Sequence, residues 1–295
     1  MRPSSPVPDR LRTLLTRGTV PVCTTRWLVR FGYDGTAYYG WARQPGLRTV
    51  EGEILRAIKR RGIEPSVLSP EIQVASRTDR GVSAVGNALV LSSTLSPPAL
   101  LRFLNGAEPD IFFSAVSAVP ESFRVRSATR RVYRYFQAEG DHDFRKWRAV
   151  AGRFSGRIDV RSFGRAQPTG TPVWRTIESV TVTSRPGGAL IEIRAPSFVW
   201  GMVRKIVAAL REVDGGRVSI DRLDAALQGR TRLTLPMAEP EPLVLWGVEY
   251  DLPWEYFWAG PNRRQLAWEK TTRENLWARR EILGIFTWRT STERK

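Results

Sequence analysis

The chain is poor in the residues that build disulfides and metal sites. Its 295 residues include one cysteine, Cys23, and one histidine, His142. A single cysteine excludes an intrachain disulfide and any zinc site of the CxxC type, and a single histidine excludes a multi-histidine metal centre. The same shortage argues against Ser-His-Asp and Cys-His nucleophile arrangements. If the chain is an enzyme, we expect its chemistry to use carboxylate, Tyr, Lys or Arg side chains, with no metal, redox centre or small-molecule cofactor.

Long hydrophobic runs are also missing. No stretch approaches the roughly 20 apolar residues of a membrane span, and residues 1–23 lack the apolar core of a secretory signal. We therefore predict a cytoplasmic protein without membrane association. Residues 1–24 are basic and rich in proline, which is typical of a disordered tail, although their Arg and Ser content also fits an organelle transit peptide.

Acidic residues are few beside basic ones. The chain has 29 Asp and Glu against 46 Lys and Arg, a formal net charge of +17. A surface this positive repels itself and indicates a polyanionic partner such as nucleic acid. Hydrophobic residues make up 42% of the chain, enough to build packed cores. The composition therefore favours a folded nucleic-acid-binding protein over a disordered basic one.

Apolar patterning predicts two similar α+β domains, 25–125 and 126–252, and a C-terminal extension, 253–295. Each domain is expected to pack helices on one face of a mostly antiparallel sheet. Predicted strands cover 26–33, 72–76, 84–91, 110–119, 130–138, 173–184, 189–194 and 243–250. Predicted helices begin at Val50 and Pro97 and cover 144–154, 198–213, 221–227 and 265–285.

The C-terminal extension interleaves tryptophans with cations. Such a pattern allows two interpretations, since aromatic rings among cations can stack bases and bind phosphates, whereas an amphipathic helix can dock its tryptophans on the protein body. The tryptophans concerned are Trp254, Trp258, Trp268, Trp277 and Trp288.

A polar loop between two predicted strands carries the first candidate site. Asp79 lies in it, between Arg77 and Arg80, where cations could surround an RNA phosphate beside a carboxylate. The alternative is ordinary turn chemistry, in which Asp bonds nearby backbone N–H groups and Gly81 takes a positive φ.

Two further segments are candidates for RNA contact. Residues 31–44 form a glycine-punctuated aromatic loop, which is either packing or a base-stacking surface. Its candidate RNA-binding residues are Tyr38, Tyr39, Arg43 and Gln44. On the predicted helix 198–213, Arg204 lies roughly opposite the apolar stripe among small neighbours, which is either a solvated basic face or a place where another segment approaches. Lys205 is a further candidate RNA contact there.

Taken together, these segments resemble the TruA family of tRNA pseudouridine synthases. The family motif Gly-Arg-Thr-Asp-Ala-Gly-Val-His-Ala corresponds to 76–84 (SRTDRGVSA). The opening Tyr-Asp-Gly-Thr-x-Tyr-x-Gly-Trp, the strand at 131–135, the Met-Val-Arg-Lys-Ile helix at 202–206 and the closing Leu-Trp-Gly-Val strand follow in the family order. The resemblance covers residues 26–251, and several ordered motifs together are specific where one alone is not.

The sequence departs from the family pattern in three places. Ser83 replaces the usual His, and Arg80 replaces a small residue, as in a variant that is similar to the archaeal branch. The family segment Gly-x-His-Asp-Phe best matches 156–159, where the His is absent. His142 lies upstream in an incidental Gly-Asp-His-Asp-Phe, and we interpret it as structural or solvated.

The resemblance implies a mechanism and a substrate. Uracil is detached from C1′ of a tRNA uridine, rotated and rejoined through C5, on the 3′ side of the anticodon stem-loop at tRNA positions 38, 39 or 40. By residue-to-residue match, Asp79 is the catalytic carboxylate, Tyr133 stacks under the extruded base, Arg204 pairs with Asp79, and Arg77 fills the vacated place. The family also implies that the two domains form a basic cleft between them, and that two chains form a homodimer with one tRNA bridging both subunits.

Two other functions fit part of the pattern. A non-catalytic RNA-binding protein on a similar sheet would explain the charge but would not need Asp79. A carboxylate-dependent hydrolase of small phosphate or glycosyl substrates would use Asp79 but would leave the net charge unexplained. The sequence therefore favours the synthase.

Overall fold

The protein forms a mixed α/β structure around one long sheet. The computed structural model describes residues 24–62, 64–164, 173–258 and 260–292, with side chains described as far as residue 278. The strands are Thr25–Tyr33 (β1), Gln73–Val74 (β2), Ser83–Ser93 (β3), Ile111–Ala118 (β4), Arg130–Ala138 (β5), Gly156–Asp159 (β6), Trp174–Ile177 (β7), Ser179–Arg185 (β8), Gly188–Ala195 (β9), Leu243–Glu249 (β10) and Tyr256–Phe257 (β11). The helices are Val50–Arg60 (α1), Pro97–Asn105 (α2), Phe144–Ala151 (α3), Met202–Asp214 (α4), Ile220–Leu227 (α5) and Arg263–Thr292 (α6).

Nine strands pair into one sheet in the order β11-β4-β1-β3-β10-β5-β9-β8, with β2 added beside β3. All these pairs are antiparallel except β3 with β10, which are parallel. The predicted mostly antiparallel α+β fold is therefore confirmed. The division into two domains and the cleft between them stay predictions.

The register of β10 brings the two halves of the chain together at one point. Leu245 pairs with Ala84 of β3 on one side and with Tyr133 of β5 on the other. Because neighbouring strands lie about 4.8 Å apart, the backbone of Tyr133 lies about 10 Å from that of Ala84. Tyr133 therefore faces the loop that ends at the start of β3.

Local signals explain several element boundaries. Thr49 accepts a hydrogen bond of 3.3 Å from the backbone N–H of Gly52, so α1 begins at Val50 as predicted. The prolines at the start of α2 place its first turn, and Gly106 follows its last residue. Strand β5 has the predicted bounds.

Other predictions about secondary structure were wrong in their boundaries. The predicted helix over 198–213 begins only at Met202, because Gly201 has a φ of +75° that a helix cannot continue through. The predicted strand over 173–184 is divided at Glu178, since β7 leaves the main sheet and pairs with β6. The strand expected over 72–76 is only two residues long.

The C-terminal extension joins the sheet edge and then continues as a helix. Strand β11 pairs with β4, and Gln265 at the start of α6 is 1% exposed, with its amide donating to Asn105 Oδ1 at 2.9 Å. Trp268 packs on Phe112 with ring centroids 5.4 Å apart. The docking interpretation is thus confirmed for this part of the extension, whereas Trp277 is 66% exposed.

Some predictions fall on parts of the chain that are not described. The predicted N-terminal tail lies outside the described residues apart from Thr24, and Trp288 lies beyond the described side chains.

Within the described ranges no helix combines the length and the apolar character that crossing a membrane requires. His142, interpreted from the sequence as structural or solvated, lies beside the C-terminal end of α4 with Nδ1 3.1 Å from Asp214 Oδ2, a contact that fits the structural interpretation.

Candidate active site

Asp79 lies in a tight loop between β2 and β3. Gly81 has a φ of +80°, and the N–H of Val82 donates to the Asp79 carbonyl at 3.2 Å, which closes the turn. The Asp79 carboxylate makes its hydrogen bonds with residues of a distant segment: Oδ1 accepts from Trp200 and Oδ2 from Arg204. The side chain therefore serves a pocket and not the turn that carries it.

The aromatic loop 31–44 is hydrogen-bonded to the Asp79 loop. The N–H of Trp41 donates to the carbonyl of Thr78 at 3.1 Å, and the hydroxyl groups of Thr78 and Tyr33 lie 2.7 Å apart. Gly40 has a φ of +92°, and a Cβ there would lie 2.8 Å from the Thr78 carbonyl oxygen. The close approach of the two backbones therefore requires glycine at position 40.

Arg204 projects from the first turn of α4 into the pocket. Its Nη1 donates to Asp79 Oδ2 at 3.1 Å and its Nε to the carbonyl of Ala238 at 2.6 Å. The guanidinium is 15% exposed and the Asp79 side chain 28% exposed, so the ion pair is partly screened from water. A charge-assisted hydrogen bond of this kind holds the carboxylate in one orientation.

Trp200 holds the other oxygen of the same carboxylate. Its Nε1 donates to Asp79 Oδ1 at 2.9 Å, although the side chain is 55% exposed. The loop 198–201 places it there, because the left-handed Gly201 turns the chain just before α4 starts.

Tyr133 is another candidate functional side chain that lines the pocket. It is 8% exposed, its hydroxyl lies 3.1 Å from Ser76 Oγ, and Phe198 packs edge-on to its ring with centroids 5.1 Å apart. Burial raises the pKa of Tyr133. The hydroxyl is therefore protonated at neutral pH and can exchange a hydrogen bond with Ser76.

These side chains surround one cavity of about 420 Å³, which is large enough for a nucleobase. Arg131 is buried at its edge and donates to the carbonyls of Ala75, Arg126 and Pro196. Burial lowers the pKa of Arg131. One guanidinium thus ties together three backbone segments that border the cavity.

The predicted RNA contacts divide into several groups. Arg77 is exposed and lines the same cavity. Arg80 is exposed as well, with its guanidinium 4.4 Å from the ring centre of Tyr39, which is 39% exposed. Lys205 is half-buried on α4, beside Arg204.

Two other predicted contacts lie away from this cavity. Arg43 and Gln44 line a different groove at the start of α1. The guanidinium of Arg43 lies 3.8 Å from Glu51, and the Gln44 amide donates to the Tyr39 carbonyl. Tyr38 is only 2% exposed, because its hydroxyl donates to the buried Asp110 and its ring packs in the core. It is therefore placed for packing and not for stacking on RNA.

Sequence reasoning did not single out Trp200, Ser76 or Arg131 as individual site residues. Trp200 lies before α4 and is separated from it by the left-handed Gly201, so helical spacing from Arg204 does not account for its place. Arg131 and Ser76 gave no signal either, because the fold alone brings Ser76 to Tyr133 and Arg131 to Ala75 and Pro196.

Comparison with known proteins identifies the class first. A family model for tRNA pseudouridine synthase matches residues 150–251, which include Arg204, α4 and β10. A solved Cbf5–Nop10–Gar1 complex covers 76% of this chain and 58% of its own chain at 14% identity and a TM-score of 0.35, a likeness too weak to argue from. The family match over residues 150–251 indicates the pseudouridine synthase class, whose members are isomerases.

Three archaeal relatives identify the family within that class. A tRNA pseudouridine synthase A of Thermococcus onnurineus is 42% identical over 77% of this chain and 85% of its own. Proteins of the same name from Thermococcus sibiricus and Pyrococcus furiosus are 40% and 36% identical, each over 77% of this chain and over 85% and 84% of their own. The chain belongs to the tRNA pseudouridine synthase A family.

Proposed function

We propose that this chain converts uridine to pseudouridine in the anticodon stem-loop of tRNA, at positions 38, 39 or 40, with Asp79 as the catalytic carboxylate. The observation that carries the proposal is the Asp79 carboxylate, fixed at one cavity by Arg204 and Trp200. The resemblance of residues 76–84 to the family motif supports the same residue.

The reaction is an isomerisation in which atoms and electrons balance. The C1′–N1 bond breaks, a C1′–C5 bond forms, the proton on C5 leaves, and N1 gains a proton. A carboxylate can serve this exchange by adding to C1′ or to the uracil ring and leaving again. Arg204 keeps the Asp79 carboxylate aimed at the cavity in either route.

Extrusion of the base determines the roles of the neighbouring side chains. A uridine must leave its stack before its glycosidic bond can be reached, at a cost of a few kcal/mol. In the proposal the ring of Tyr133 lies under the extruded uracil, and Arg77 takes the place that the uridine leaves. The protonated hydroxyl of Tyr133, 3.1 Å from Ser76 Oγ, can help a proton to move.

Release of tritium from tRNA labelled at C5 of uridine tests the proposal. Wild type is expected to release tritium, and Asp79→Ala and Asp79→Asn to release none while still binding tRNA. Asp141→Asn, at an exposed turn residue, is the matched control and should keep wild-type release. Mapping the product by chemical blocking and reverse transcription then locates the modified position. No release from any tRNA, with salt-sensitive binding retained, would favour a non-catalytic RNA-binding protein.

Three further parts of the proposal rest on the resemblance and composition. We infer a division into domains 25–125 and 126–252 with a basic cleft between them, a homodimer with one tRNA bridging both subunits, and a cytoplasmic location. Light scattering of the protein alone and with tRNA tests the dimer, since a single mass of one chain in both samples would contradict it.

A further inference from the structure

A second groove opens from the candidate active site. It has a volume of about 390 Å³, and it shares Val74, Arg77 and Arg126 with the cavity that holds Asp79. Its apolar floor includes Ile72 and Val125. A strand of RNA that leaves the cavity on the side of Arg77 and Arg126 would therefore meet this groove.

Three arginines line the groove, and their charges are not compensated by nearby acids. Arg77, Arg124 and Arg126 are all exposed, and the described contacts give their guanidinium groups no carboxylate partner. The one acidic residue in the lining is Glu51, which accepts from the backbone N–H of Arg43 at 3.0 Å and lies 3.8 Å from its guanidinium. Like charges that line one groove repel each other, and a bound anion relieves that repulsion.

The backbone that carries Arg124 and Arg126 is held rigidly. The carbonyl of Arg124 accepts from the N–H of Ser127 at 2.9 Å, and the carbonyl of Arg126 accepts from Arg131 at 2.9 Å. Between them, the carbonyl of Val125 accepts from the Tyr250 hydroxyl at 2.5 Å. The fixed backbone presents both guanidinium groups to the groove, so binding has to order only the two side chains and not the chain that carries them.

We propose that this groove, the Arg124 groove, binds the sugar–phosphate backbone of the RNA strand directly beside the target uridine. The inference rests on the proposed function, because it takes the cavity at Asp79 as the place of the target. Arginine forks bind phosphate oxygens bidentately, and the apolar floor accepts the sugar or base between two phosphates. Arg124 and Arg126 are thereby added to the tRNA-binding residues.

Salt dependence of tRNA binding tests the proposal with a matched control. The test variant is Arg124→Gln with Arg126→Gln, and the control is Arg185→Gln with Arg222→Gln, which removes two exposed arginines from β8 and α5. Each phosphate contact contributes about 0.7 to 0.9 to the slope of log K against log salt. We expect the test variant to lower the slope by about 1.4 to 1.8 and to bind tRNA roughly tenfold more weakly, and the control to match wild type.

Hydroxyl-radical footprinting on the same tRNA locates the contact. Wild type and the control should protect sugars beside the target uridine, and the test variant should lose protection there and nowhere else. An unchanged slope in the test variant, or a loss of protection only at distant nucleotides, would overturn the proposal. Thermal unfolding of all variants checks that exposed substitutions leave the fold intact.

Pseudouridine formation by wild type distinguishes a failure of the Arg124 groove from a failure of the proposed function. If wild type modifies the tRNA but the test variant binds like the control, the Arg124 groove is rejected and the proposed function stands. If wild type forms no pseudouridine while the test variant still loses affinity, the proposed function is rejected, and with it the placement beside a target uridine.

Discussion

Trp200 donates a hydrogen bond of 2.9 Å to Asp79 Oδ1, while the other oxygen of the same carboxylate is bound by Arg204. Both donors come from one short segment of the chain, four residues apart, and 121 residues separate Trp200 from Asp79. The carboxylate is therefore fixed at both oxygens before any substrate arrives. An exposed indole at this point can also contact an incoming nucleotide.

Loss of the indole N–H is expected to slow the reaction without weakening tRNA binding. Trp200→Phe keeps an aromatic ring but removes the donor to Asp79. A hydrogen bond to a charged group contributes about 1.5 to 3 kcal/mol, so the single-turnover rate of tritium release should fall roughly ten- to hundredfold. The dissociation constant for tRNA should stay within about twofold.

Trp246→Phe is the control for this substitution. Trp246 is 37% exposed on β10, and the Arg134 guanidinium lies 3.7 Å from its ring centre, away from Asp79. The control should react at the wild-type rate. A Trp200→Phe rate equal to or above that of wild type would show that the indole does not position the carboxylate.

Arg204→Lys tests whether the reaction needs both hydrogen bonds that the guanidinium donates. Arg204 donates to Asp79 and to the Ala238 carbonyl at the same time, from different nitrogens. A lysine ammonium is a compact point charge on a flexible side chain, so it cannot reproduce both contacts. We expect the single-turnover rate to fall roughly a hundredfold, about 2.7 kcal/mol. Arg217→Lys, in an exposed pair with Glu212, should leave it unchanged; equal rates for both would contradict the assignment.

The sequence predicted which residues come together at the pocket better than it predicted their surroundings. Asp79 and Arg204 followed from a motif resemblance, and the structure places them 3.1 Å apart. Tyr38 was expected on the RNA surface but lies in the core, because an aromatic pattern does not tell which of two adjacent tyrosines faces inward. Apolar periodicity predicted a helix from residue 198, which placed Trp200 inside it. The helix starts later because Gly201 has a positive φ, and apolar periodicity carries no information about that backbone conformation.

Gly40→Ala should disturb the Asp79 loop through a backbone clash. A Cβ at this position would lie 2.8 Å from the Thr78 carbonyl and 3.2 Å from the Arg80 nitrogen. Gly46→Ala is the matched control in the same connection between β1 and α1. Gly46 has a φ of +71°, and no atom lies within 4 Å of the place that an alanine Cβ would take. Both variants carry the left-handed strain of about 1 to 2 kcal/mol, and only Gly40→Ala adds the clash.

Urea unfolding and tritium release distinguish these two variants. Gly40→Ala should lose about 1 to 3 kcal/mol more unfolding free energy than Gly46→Ala, and its rate should fall while the control keeps wild-type activity. Equal stability and equal rates would mean that the Asp79 loop does not depend on the close approach at Gly40.

Buried tyrosines predict how stability responds to alkaline pH. Burial raises the pKa of Tyr135 to about 12 and also raises the pKa values of Tyr33 and Tyr250. Tyrosine in an unfolded chain ionises near pH 10, so above pH 10 the unfolded state loses protons that the folded state keeps. The stabilisation is complete below pH 10 and is lost as the pH rises towards the folded pKa.

The unfolding free energy should therefore be flat to about pH 9 and fall above pH 10, by about 1.4 kcal/mol per pH unit for each buried tyrosine. Tyr135→Phe removes one of these groups, so its decline between pH 10 and 12 should be shallower than that of wild type by the contribution of one tyrosine. Loss of the hydrogen bond from Arg211 to the Tyr135 hydroxyl lowers the stability at every pH but leaves the slope unaffected. Urea unfolding followed by fluorescence over this pH range measures both quantities, and identical slopes for the two proteins would show that the Tyr135 hydroxyl ionises as readily in the folded chain as in the unfolded one.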